Sequence, residues 1–150
     1  MHVCAHVFLQ NRHNVPAVVA VDGVPIIMHS LATHGLQTGV LGVMECGFVV
    51  VTCLSTHDAS LAYMQDYEQN HGGVVDLALR AVREYARSGD LKVVDHAIGV
   101  LASCVERYPL MQARFRASGG VREMRSACEL RGLSPENRAV TQRILRACGV

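Results

Sequence analysis

The sequence predicts an all-α chain built of stacked helical repeats, and three observations predict it. Apolar residues recur at helical spacing, most plainly at Val74, Ala78, Ala81, Val82 and Tyr85, with Arg80, Arg83, Glu84 and Arg87 on the other side. A step of a small residue or Asp, then Gly, then Val occurs three times, at Asp22-Gly23-Val24, Gly72-Gly73-Val74 and Gly119-Gly120-Val121. Its glycines are 50 and then 47 residues apart. Half of the 150 residues are hydrophobic and 18% are charged. That is enough to bury a core within one domain and lies far from the composition of disordered chains.

Taken in order, Val3 to Gln10 and Val15 to Val21 read as the second and third helices of an incomplete first unit. Val24 to His34, Val40 to Thr56 and Ala59 to His71 read as the three helices of the next, with Asp58 capping the last. The clearest unit follows. Its first helix starts at Val74 and ends at Ser88-Gly89-Asp90, where Asp90 is placed to cap the second. Leu91, Val94, Ile98, Leu101 and Val105 form the second helix's apolar stripe, with Ala97 and Ala102 as small contact points. Pro109 suits the first turn of a short third helix, whose buried face is Leu110, Met111 and Phe115. At the back, Val121 to Arg131 is a first helix, and Ser134-Pro135 opens a second in which Val140, Ile144 and Cys148 align. The competing reading is α/β, with Val15 to Met28 as a hairpin turning on Asp22-Gly23 and Phe48 to Leu54 as a buried strand. Pro16 and Pro25 would then sit inside strands, which argues for helices.

These residues resemble the armadillo-repeat family, an α-solenoid of three-helix units. The stretches that carry the resemblance run from Gly72-Gly73-Val74 to Asp90, then His96-Ala97-Ile98-Gly99-Val100-Leu101, then Arg114-Phe115-Arg116-Ala117-Ser118-Gly119-Gly120-Val121. The resemblance implies a right-handed superhelix of about three repeats with boundaries near 23/24, 73/74 and 120/121, both terminal repeats being incomplete. It implies a non-catalytic module that binds a protein or extended peptide along its third helices, where Tyr63, Tyr67, Asn70, Gln112 and Arg116 fall. The Trp and Asn ladder of the nuclear-import members is absent, which argues against a reader of import signals. A unit of this kind stacks on neighbours because it cannot bury its apolar face alone. The front of the chain carries few charges, and its exposed end is expected to be covered by self-association or to belong to a longer array.

Composition and motifs narrow the function classes. The formal net charge is +1, but it is unevenly spread. Residues 1–106 hold 5 Lys/Arg against 10 Asp/Glu, a net −5, and residues 107–150 hold 9 Arg against 3 Glu, a net +6. Arg107, Arg114, Arg116, Arg122, Arg125, Arg131, Arg138, Arg143 and Arg146 therefore make nucleic-acid or polyanion binding the alternative function, although nucleic acid is the weaker expectation without Trp or an aromatic RNA-reading motif. The six Cys form no Cys-x-x-Cys pair, which favours a reducing cytoplasmic or nuclear setting. No signal peptide is evident. Leu36 to Leu54 is long enough to test as a membrane span, but Glu45 at its centre and several glycines favour a buried helix. No nucleophile elbow or phosphate-cradling glycine loop occurs. Asp95 and His96 are neighbours that a helix turns about 100° apart. Cys53 with His57, and His2, Cys4 and His6, are at most partial metal sets, so no catalytic residue, metal or cofactor is expected. The remaining alternative is a small α/β enzyme with a pocket around Glu45, Cys46 or His57.

Overall fold

The computed structural model describes residues 14–37, 39–58, 60, 64 and 73–150, less the side chains of Leu36 and Gln37. Among the described residues every regular element is helical and no strand forms. The hairpin considered for Val15 to Met28 is instead two helices, and Phe48 to Leu54 lies within a third. Val3 to Gln10, and most of Ala59 to His71, lie outside the described residues. The chain divides into two compact units, Met1–Val74 and Val75–Val150.

In the first unit, α1 (Val15–Ala20) is followed by α2 (Gly23–Ser30), which runs on as a π-helical stretch, Leu31–Gln37, before α3 (Leu41–Ser55). The sequence predicts one continuous α-helix to His34, whereas the backbone widens at Leu31. The wider turns seat Gly35 against the Met44 thioether, where a Cβ would clash. On α3, Gly47 does the same for the Leu31 side chain. This close approach is why an apolar helix carries a glycine in its interior. Val24, Met28, Leu31, Met44, Phe48, Val51 and Leu54 are all buried. α3 is 15 residues long, and among the described residues no helix is long and apolar enough to cross a membrane.

The second unit contains α4 (Val74–Ser88, whose first residue falls on the unit boundary), α5 (Leu91–Val105), α6 (Pro109–Ala117), α7 (Gly120–Cys128) and α8 (Pro135–Ala147). α5 packs against α6 and α8, and α7 packs against the same two helices. The expected stripe of α5 is buried from Val94 to Val105, with Leu91 only half-buried at its start, and Val93, Val100 and Cys104 beside it are buried too, which makes α5 the hydrophobic centre. Burying each large apolar side chain here contributes about 1.5–3 kcal/mol. Ser134 caps α8 by accepting from the Asn137 N–H at 3.1 Å, with Pro135 in the first turn.

Three local expectations change. Asp90 does not cap α5 with its side chain; its Oδ2 accepts from the Ser88 hydroxyl at 2.7 Å, closing the turn around Gly89 instead. Leu110 is 39% exposed, because Met111 and Phe115, one turn apart, already define the inward face of α6. α7 ends at Cys128 rather than Arg131.

Two of the three glycine-marked steps share one backbone device. At each, a residue with left-handed φ stands just before a helix: Asp22 at 51° before α2 and Gly119 at 78° before α7. The following glycine then lies against a side chain five residues earlier. A Cβ on Gly23 would come within 2.5 Å of Val18 Cγ1, and one on Gly120 within 2.5 Å of the Phe115 ring. At the third step Gly72 is outside the described residues, and α4 starts at Val74 directly after Gly73.

Candidate functional site

Of the five residues placed on third helices, Tyr63, Tyr67 and Asn70 lie outside the described residues. Gln112 and Arg116 are on α6. They are one turn apart on the same side of the helix, Gln112 half-buried and Arg116 exposed, while Met111 and Phe115 are completely buried. α6 is anchored from its outer side as well. The Asp76 carboxylate, in the first turn of α4, accepts from Arg114 Nε at 2.9 Å, from the second Arg114 donor Nη2, and from the Ser118 hydroxyl. Acid in the first turn of one helix thus fixes the last turn of another.

Arg116 also has a structural task that the sequence did not announce. Its Nη1 donates to the Cys148 carbonyl at 3.2 Å, at the C-terminal end of α8. Helix C-terminal carbonyls lack intrahelical donors, and a guanidinium supplies one along with favourable charge. Burial pushes the Cys148 thiol above its ordinary range, and the nearby Arg116 charge offsets part of that. Arg138 performs the same task for α7, donating to the Cys128 carbonyl at 2.6 Å and the Leu130 carbonyl at 3.3 Å.

The basic C-terminal third is therefore largely engaged within the fold. Arg114 pairs with Asp76, Arg122 with Glu123 and Arg143 with Glu106, and Arg107 lies 5.7 Å from the Tyr108 ring centre. Arg125, Arg131 and Arg146 are exposed.

A cleft of about 260 Å³ opens between α4 and α7. Val82, Ala86, Ala127 and Leu130 give it an apolar floor, and Arg83, Arg87, Glu123 and Ser126 line its rim. Arg83 Nε donates to Glu123 Oε1 at 3.2 Å, and Arg122 Nη2 donates to the same oxygen at 3.0 Å. Burial works to raise the Glu123 pKa, but the hydrogen bonds and charges of Arg122 and Arg83 outweigh it, so the carboxyl titrates below its usual value. Sequence reasoning assigned Arg83 and Arg87 to the outer side of α4 but did not find this cleft. The spacing of Arg80, Arg83, Glu84 and Arg87 signalled a charged helix face, while Glu123 comes from 40 residues beyond Arg83.

Cys46 is buried in α3, Glu45 is half-exposed on the adjoining side, and His57 lies beyond the helix with a buried Nδ1 that has no hydrogen-bond partner. Among the described residues no three His, Cys, Asp or Glu side chains are gathered as a metal site, and Cys46, Cys53, Cys104, Cys128 and Cys148 are thiols. His2, Cys4 and His6 are outside the described residues.

No family model, no curated protein and no solved structure matches the chain.

Proposed function

We propose that this chain is a non-catalytic protein–protein interaction module, an armadillo-like scaffold that holds a peptide or protein segment on its third-helix face. The observation that carries this reading is the build of α6. Met111 and Phe115 lock one side of the helix into the core, Asp76 clamps Arg114 and Ser118, and Gln112 and Arg116 are left one turn apart where a partner can reach them. A rigid helix carrying an amide and a guanidinium suits recognition of an extended backbone and its acidic side chains. The left-handed residue and close-packed glycine shared by the starts of α2 and α7 support a repeated unit. The thiols support a reducing intracellular setting.

Capture of partners from source lysate by the wild type and by Gln112→Ala plus Arg116→Ala tests the reading. Loss of a defined partner from the double variant, with an unchanged fold, supports it; an identical partner set from both proteins overturns it. The polyanion alternative predicts instead binding to heparin or an oligonucleotide that weakens steeply with added salt. The internal pairing of Arg114, Arg122 and Arg143 counts against that alternative.

A further inference from the structure

We infer that the cleft between α4 and α7 is a second docking site, and that it takes an acidic side chain flanked by an aliphatic one on a partner protein segment. Val82 and Ala127 are each 2% exposed and form the base of the cleft, so its accessible apolar lining comes from Ala86 and Leu130, a surface that an apolar group covers without leaving polar atoms unpaired. The rim is charged, and its charges divide into two kinds. Arg83 is taken by Glu123, which Arg122 also holds. This pairing keeps Glu123 from meeting an incoming carboxylate on its own. Arg87, at the end of α4, is exposed and pairs with no carboxylate among the described residues. The Ser126 side chain is exposed on the opposite rim and offers a hydroxyl donor.

Charge complementarity selects the occupant. Of the lining residues Arg83 and Arg87 outnumber Glu123, and beside them Arg80 and Arg122 stand against Glu84 and Glu129, which leaves the opening with an excess of one positive charge. An Asp or Glu carboxylate can take the planar fork of Arg87 and the Ser126 hydroxyl while its aliphatic neighbour covers Ala86 and Leu130. A nucleic-acid strand would leave this apolar floor unmatched, whereas an acidic-aliphatic peptide matches both parts. The lining residues all belong to α4, α7 and the turn after α7, and none belongs to α6, so this site stands or falls separately from Gln112 and Arg116.

A random dodecapeptide phage library selected on the full chain tests the inference. The expected result is enrichment of Asp or Glu next to Leu, Ile, Val or Met. The best synthetic peptide should lose at least about tenfold in affinity on Arg87→Glu and on cleft-filling Ala127→Arg. Arg125→Glu and Arg116→Ala should leave its affinity within about twofold. Circular dichroism of each variant checks folding, and the exposed Arg87→Glu variant remains informative even where Ala127→Arg does not fold. The inference is overturned by selection without acidic enrichment, by equal losses on Arg125→Glu and Arg87→Glu, or by a Gln-for-Glu peptide that binds as tightly. Displacement of the peptide by oligothymidylate at equal charge concentration would also overturn it, because it would mark a polyanion surface.

Discussion

Gly120 starts α7 directly against the ring of Phe115, five residues earlier, and a Cβ there would lie 2.5 Å from the ring's Cδ2. Phe115 is completely buried, so the ring has little room to yield. Gly23 stands in the same relation to Val18 at the start of α2.

Gly120→Ala is therefore expected to destabilise the protein by about 1–3 kcal/mol, despite the gain in helix propensity that Ala brings. Phe115→Leu in the same chain should recover part of the loss by making room. Urea titration of the two single variants and the double variant measures this, and additive losses would show that the contact with the ring is not the cause.

Asp22 holds a left-handed φ of 51° that a side chain adopts at a cost. Asp22→Gly should stabilise the first unit by up to about 1 kcal/mol, and Asp22→Val should destabilise it by more than that. The midpoint of thermal unfolding should move in opposite directions for the two variants.

Glu123 makes the stability of the second unit depend on pH. Its pKa is lowered in the folded state, so its contribution is fully present above the ordinary Glu value of 4.5 and is lost as pH falls through the lower folded-state value. Glu123→Gln should flatten the fall in melting temperature below about pH 4.5, and should cost stability near neutral pH. A double-mutant cycle with Arg83→Met should give a coupling of about 0.5–1 kcal/mol, because Arg83 remains a third exposed, at 34%. An unchanged acid limb in Glu123→Gln would place the titrating group elsewhere.

Arg116 closes the C-terminal end of α8. Arg116→Ala should cost about 0.5–2 kcal/mol and lower hydrogen-exchange protection in the last turn of α8 before it affects α5. Cys148 is 4% exposed and its thiol is held above the ordinary range. Iodoacetamide should therefore modify it slowly in the native protein and much faster once urea unfolds the chain, as mass mapping of the labelled cysteine would show.

Much of the second unit was readable from side-chain periodicity. The stripe from Val74 to Tyr85 and the stripe from Val94 to Val105 both fall on buried faces, Leu91 being half-buried at the start of the second, and Pro109, Gly119 and Ser134-Pro135 mark real helix ends. Such signals are local: an apolar stripe at 3.6 spacing can bury itself only as a helix, and Pro or Gly constrains its own φ. Leu110 and Asp90 were read differently because each had two local options, and only packing or a neighbouring side chain chooses between them.

The sequence alone determined the helical class of this chain and the glycine-marked starts of α2, α4 and α7, because those features follow from each residue's own backbone freedom and apolar spacing. Tertiary structure decided the π-helical widening at Leu31, the clamp of Asp76 on Arg114 and Ser118, and the cleft between α4 and α7. Each of those joins groups from separate elements. A contact between Arg83 and Glu123, 40 residues apart, is set by how two helices pack and leaves no periodic trace along the chain.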